Sequence, residues 1–187
     1  MLFYLFFSYI LLQRVFELKI AKSNEMWMKE RGAIEYGRQH YPIIVVLHVA
    51  FLFFFFIEVL AFERKLSSLW LFLLFLFIVT QGLRIWVLAS LGKFWNTKII
   101  ILPNATIVNK GPYQYLRHPN YVIVVLEILI IPLMFQAYWT AIFFSLLNLW
   151  MLSIRIKVEE EALIQETNYT EQFEKVSRFS PFRMKRT

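Results

Sequence analysis

The chain is expected to be an all-α, polytopic membrane protein with about five transmembrane helices, the last two forming a hairpin ahead of a cytosolic C-terminal helix. Three observations predict this. The 187 residues are 59% hydrophobic and 19% aromatic, with twenty Phe, whereas soluble domains average about half apolar. Five apolar runs approach or exceed the roughly 20 residues that cross about 30 Å of hydrocarbon. Lys and Arg also concentrate on one set of the loops between those runs, as expected for cytoplasmic segments.

The first run, 1–18, lacks the basic leading region of a signal peptide, and no small-residue cleavage site follows Arg14 and Glu17. It therefore reads as a retained span, with those two residues near its cytoplasmic edge and able to pair. The second run, 42–62, contains His48 and Glu58. The third, 66–91, contains Arg84 about two turns before its end, where a charge is costly unless it snorkels, pairs or faces a cavity. The fourth, 119–135, starts at Pro119, which suits a first helical turn because its missing N–H costs nothing there. It is short, and the break at Pro132 to Gln136 turns it directly into the fifth, 137–158. His48 and Glu127 read as satisfied polar groups between helices rather than as catalysts. No repeat or linker divides residues 1–187, which are predicted to form one domain.

Sixteen Lys and Arg residues fall in the segments around 19–41, 90–118 and 155–187, against Arg64 and Lys65 on the opposite face. This asymmetry predicts a plasma-membrane protein with its N-terminus outside and its C-terminus in the cytoplasm. Topology and anionic lipid account for the net charge of +7 without a nucleic-acid partner. The absence of cysteine excludes disulfides, haem thiolates and thiolate zinc sites. Five glycines form no dinucleotide or phosphate loop, and no HExxH motif is present. His40, His48 and His118 are too scattered for a metal site, so none is expected.

The stretch GPYQYLRHPNYVIVVL, Gly111 to Leu126, sets Arg117 and His118 against Pro119 at the start of the fourth span. His118 falls near the N-cap, beside backbone donors and the positive end of the helix dipole. Such an end suits an anion, and Arg117 adds a donor pair for a carboxylate. Glu159, Glu160 and Glu161 follow the fifth span and offer acceptors to hydroxyl or ammonium groups. The hairpin would bring both clusters together on the cytoplasmic face. The plainer alternative is that Arg117 snorkels to lipid headgroups and the glutamates form a solvated helix turn.

These residues resemble the isoprenylcysteine carboxyl methyltransferase family, which lies close to the membrane phospholipid methyltransferases. The resemblance rests on RHPNY, on the downstream RIKVEE from Arg155 to Glu160, and on Leu83-Arg84, Gly92 and Trp95-Asn96 in and after the preceding span. It covers roughly residues 80–180. It implies an integral-membrane methyltransferase that uses S-adenosylmethionine without a Rossmann domain. By the same resemblance Arg117, His118, Pro119, Tyr121, Glu159 and Glu160 surround the cofactor, Arg84 holds the acceptor as the catalytic residue, and Arg155 adds substrate binding. The chain departs from the family after the Glu pair, where ETNYTEQF replaces Phe-Gly and two spaced tyrosines, so Tyr169 and Phe173 are not assigned. The front segment from Glu17 to Pro42 resembles bacterial members found beside type III polyketide synthases, which methylate long-chain alkylpyrone hydroxyls.

The resulting expectation is an O-methyltransferase acting on a lipophilic acceptor, an alkylpyrone hydroxyl or a prenylcysteine-type carboxylate, at the cytosolic face. Membrane lipid is its other partner, and a type III polyketide synthase is a functional link. The alternatives are a phospholipid N-methyltransferase and a membrane sterol-type reductase, whose members share a similar R-H-x-N-Y segment.

Overall fold

The computed structural model describes residues 1–173 and Arg178. The expected cytosolic C-terminal helix lies outside the described residues beyond Phe173. The chain is mostly helical: α1 (Leu2–Lys29), α2 (Tyr41–Ala61), α3 (Trp70–Leu91), α4 (Pro119–Met134), α5 (Tyr138–Glu166) and the short α6 (Tyr169–Phe173). Three helices are long and apolar enough to cross a membrane, namely α2, α3 with the 3-10 turn that follows it, and α5. At 16 residues α4 is a shorter apolar helix. The 28-residue α1 is interrupted by Gln13, Arg14, Glu17, Lys19 and Lys22, which dilute its apolar character.

The all-α expectation needs one correction. Two strands, β1 (Ile34–Tyr36) and β2 (Ile99–Ile101), pair antiparallel, with Ile34 opposite Ile101 and Tyr36 opposite Ile99. Three-residue strands are too short to leave a period-two signal, and the Ile run of β2 reads equally well as an apolar loop. The ribbon packs Ile99 and Ile101 against Ala162 of α5 and so anchors the long connection between α3 and α4.

Far from that ribbon, an aromatic core locks the helices together. The Phe3 ring meets Phe55 at 5.5 Å and Phe135 at 5.2 Å, both edge to face, the arrangement favoured by aromatic quadrupoles. The turn from α4 to α5 is tight: Gln136 adopts a left-handed φ of 55° and its side-chain Nε2 donates to Leu66 O at 3.1 Å. Glu58, whose role the sequence left open, serves as a cap supplied by another helix. Thr140 N and Thr140 Oγ1 each donate to Glu58 Oε2 at 2.7 Å, and Trp139 N donates to Oε1 at 3.3 Å. A carboxylate there satisfies orphan donors at the start of α5 and faces its positive dipole end.

Outward faces of the long helices carry exposed Phe53, Phe54, Phe75, Ile85, Leu146 and Trp150. Apolar exposure on this scale suits lipid rather than water.

Candidate active site

The loop before α4 is held by close packing on α3. Gly111 has a φ of +58°, and a Cβ there would lie 2.2 Å from Ser90 Oγ and 3.0 Å from Trp86 Nε1. Only glycine fits that approach and that backbone. The 3-10 turn Gly111–Gln114 follows, burying Tyr113 beside Val87, Ile123 and Tyr169, and α4 then begins at Pro119.

This path carries His118 to the C-terminal part of α5. Its Nε2 lies 3.0 Å from Glu160 Oε1 and its Nδ1 3.7 Å from Glu159 Oε2. The imidazole stacks on the Tyr121 ring at 5.4 Å. Arg178 also holds Glu160, with Nε donating to Oε1 at 2.9 Å and Nη2 bonding Oε2, while Tyr169 OH donates to Oε1 at 3.3 Å. Burial, with the Glu160 charge beside it, pushes the Tyr169 phenol above its usual range, so it remains a donor. Arg117 sends Nη2 to Phe173 O at 2.8 Å and lies over the Tyr169 ring. Glu161 points away and is exposed.

Tyr121 links this cluster to a second group. Its hydroxyl donates to Glu159 Oε2 and accepts from Arg155 Nε at 2.8 Å. Arg155 Nη2 donates to Thr97 O at 2.7 Å, and no carboxylate among the described residues pairs with this buried cation. The segment that supplies Thr97 is fastened to α1: Asn24 Nδ2 donates to Trp95 O at 2.7 Å and Asn96 Nδ2 to Ala21 O at 3.0 Å.

Arg84 stands apart from both groups. It is 4% exposed; Nε donates to Glu127 Oε1 at 2.9 Å, Nη1 to Glu17 Oε1 at 3.0 Å, and Nη2 to Glu127 Oε2. Arg14 bonds the same two carboxylates, and Gln81 donates to Glu127 at 2.8 Å. Two arginines and two glutamates from α1, α3 and α4 thus form a neutral buried cluster, which resolves the charge anomaly of the third span.

Two cavities border these groups. One, of about 160 Å³, is lined by Ile101, Ile107, Tyr113, His118, Glu159 and Tyr169 among others. The second, of about 240 Å³, lies between α1, α2, α4 and α5 and is lined by Leu47, Phe51, Val124 and Met151 together with Arg14, His48 and Arg84. Trp95, Asn96, Asn120, Tyr121 and Arg155 border both. In that shared wall Trp95 Nε1 and Asn120 Oδ1 are buried without a partner among the described residues, as is Asn148 Nδ2 in the second cavity.

Of the residues singled out from the sequence, Arg117, His118, Pro119, Tyr121, Arg155, Glu159 and Glu160 come together, and Arg84 does not join them. Sequence reasoning missed Tyr169, which sits nine residues after its partner Glu160 where the family spacing is altered. It also missed Thr97, contributed through its backbone carbonyl, and gave no role to Trp95 and Asn120, which entered only as part of the family resemblance. Among the described residues no group of His, Asp and Glu is placed to hold a metal.

Two cavities, each lined by both charged and apolar side chains, thus meet at one shared wall in a chain with membrane-length helices. The chain belongs to the Isoprenylcysteine carboxyl methyltransferase (ICMT) family, whose sequence profile matches residues 71–165; this is a family of membrane methyltransferases. The chain is similar to the uncharacterized protein YpbQ of Bacillus subtilis (strain 168), with 44% identity over 162 residues, 87% of this chain and 96% of that protein. It is also similar to an uncharacterized protein of Haemophilus influenzae (strain ATCC 51907 / DSM 11121 / KW20 / Rd), with 33% identity over 158 residues, 84% of this chain and 92% of the relative.

Proposed function

We propose that the protein is an S-adenosylmethionine-dependent O-methyltransferase acting on a lipophilic acceptor, of the alkylpyrone or prenylcysteine type, at the cytosolic face of the plasma membrane. The observation that carries this reading is the wall shared by the two cavities, Trp95, Asn96, Asn120, Tyr121 and Arg155. A water-soluble donor on one side and an apolar acceptor on the other can meet only across such a boundary.

The donor set suits the cofactor. Glu159, which lines the first cavity, offers an acceptor to its amine or ribose hydroxyls, Glu160 fixes His118 beside it, and Arg117 offers a cation to its carboxylate; Trp95 Nε1 and Asn120 Oδ1, without a partner among the described residues, add an open donor and an open acceptor. The cofactor supplies an electrophilic methyl group on a sulfonium. The protein's contribution is to align the acceptor oxygen with that methyl group and to exclude water. Arg155, which forms no ion pair among the described residues and meets Glu159 only through the Tyr121 hydroxyl, is the cation that orients the acceptor oxygen. Arg84, with all three nitrogens engaged by Glu17 and Glu127, braces the wall of the acceptor cavity. A cation at the junction favours an acidic oxygen over the amine of a phospholipid.

In this reading residues 1–187 form one domain with five spans, α1 to α5, the last two a hairpin, with the N-terminus outside. At about 1.5 Å per residue, α4 reaches only some 24 Å; the connection between α2 and α3 covers its turn, where Ser67 N donates to Met134 O at 3.0 Å. A type III polyketide synthase is the class of enzyme that would supply an alkylpyrone acceptor. The test is transfer of a labelled methyl group from S-adenosylmethionine to a long-chain alkylpyrone or prenylcysteine in membranes bearing the protein. Label in the lipid extract that disappears with Glu159→Gln is the expected result; no transfer to either acceptor counts against the reading.

A further inference from the structure

A hydroxyl acceptor that reaches the second cavity through hydrocarbon arrives protonated, because an isolated anion is too costly to carry through a medium of low dielectric. Its proton must then be removed inside the site. The cavity walls contain one group suited to take it. His48, on α2, has its Nδ1 2.8 Å from Ile44 O; a carbonyl can only accept, so Nδ1 carries the hydrogen and Nε2 presents a lone pair. Among the described residues the ring's one hydrogen bond is that of Nδ1, and Nε2 makes none. The titratable and charged groups lining the same cavity are Arg14 and Glu17 from α1, Tyr41 from α2 itself, Arg84 from α3, Tyr121 and Glu127 from α4, and Arg155 from α5. Both carboxylates in that set are bound by arginines. The lone pair of His48 is therefore the basic position left open.

We infer that His48 is the proton acceptor for a lipophilic acceptor bearing a weakly acidic phenolic or enolic hydroxyl. The inference rests on the methyltransferase reading above. The hydroxyl proton passes to His48 Nε2 while Arg155 holds the oxygen. The oxygen forms its bond to the methyl carbon as the carbon–sulfur bond breaks, and the bonding pair stays on sulfur. The positive charge that was on the sulfonium thus ends on the imidazolium, which returns its proton to water after the products leave. His48 lies outside the stretch matched by the family profile, residues 71–165, so family membership does not itself supply this role.

The experiment uses the full chain in lipid nanodiscs with two acceptors of equal chain length, a long-chain alkylphenol and its nitro-substituted analogue, the latter ionised at the assay pH. His48→Gln should lower kcat on the alkylphenol by roughly 10²- to 10⁴-fold, the range of general-base catalysis. The nitro analogue should retain turnover within about threefold, and affinity for S-adenosylhomocysteine by calorimetry should be unchanged, which also reports that the variant is folded. The wild-type rate on the alkylphenol should fall on acidification as the imidazole takes up a proton, and His48→Gln should lose that limb. Wild-type turnover of the alkylphenol by His48→Gln, equal losses on both probes, or a wild type that methylates only the ionised probe would each overturn the inference. A wild type that neither binds S-adenosylhomocysteine nor methylates either probe instead refutes the methyltransferase reading.

Discussion

Replacing Tyr121 by Phe removes one oxygen and leaves the ring that stacks on His118 in place. That oxygen joins the two halves of the site, donating to Glu159 Oε2 and accepting from Arg155 Nε at 2.8 Å. Hydrogen bonds to charged partners contribute about 1.5–3 kcal/mol each. The Glu159 side chain is 29% exposed and can regain water, so its share is small. Arg155 is buried and, among the described residues, keeps one hydrogen bond, the 2.7 Å bond to Thr97 O, beside its contact with the retained ring, so most of the loss falls on it. About 2–3 kcal/mol at Arg155 corresponds to roughly 30- to 150-fold in kcat/KM. Affinity for S-adenosylhomocysteine should fall by about tenfold or less. The assay pairs steady-state methyl transfer to a saturable lipophilic acceptor with calorimetry in the same detergent. Unchanged kcat/KM, or a loss confined to cofactor affinity, would refute the role given to the Tyr121–Arg155 link.

Two further outcomes follow from the charge clusters. Arg84→Met leaves Glu17 and Glu127 with Arg14 as their one cation among the described residues, and breaking a buried pair costs about 3–5 kcal/mol; thermal unfolding in detergent should show a large loss, partly recovered by Arg84→Lys, whose ammonium cannot span two carboxylates. A stable Arg84→Met that selectively loses turnover would instead restore the acceptor-holding role expected from the family resemblance. On the loop side, burial raises the Glu25 carboxyl but bonds from Lys29 and Lys98 outweigh it and hold it at about 2, and the same lysines lower Glu35. Because these folded-state values lie below those of the unfolded chain, the stability they contribute is present above about pH 4.5 and is lost as pH falls towards 2. Melting temperature should decline across that window, and Glu25→Gln should flatten the decline; a slope unchanged by that substitution would contradict the assignment.

The parts of this molecule legible in its sequence are those in which one residue type carries an unambiguous physical demand. Pro119 marks the start of α4 because a missing N–H suits a first turn, and the apolar runs mark α2, α3 and α5 because nothing else consumes such stretches. The pairing of His118 with Glu160 followed from a short turn between two helices. Arg84 was recognisable as costly, but its partners Glu17 and Glu127 lie on two other helices, 67 and 43 residues away, and no local pattern encodes such a meeting. Glu58 is hidden for the same reason, since its ligands are the backbone and hydroxyl of Thr140, 82 residues on. The ribbon of β1 and β2 is too short to have a period, and Thr97 acts through its carbonyl, which every residue possesses.

The most direct test of the central claim is calorimetric titration of the purified protein in nanodiscs with S-adenosylhomocysteine and, separately, with NADPH. S-adenosylhomocysteine should bind saturably at one site, with affinity weakened roughly tenfold or more by His118→Ala and by Glu159→Gln, and NADPH should not bind. Binding of NADPH in its place, or S-adenosylhomocysteine affinity untouched by both substitutions, would contradict the claim.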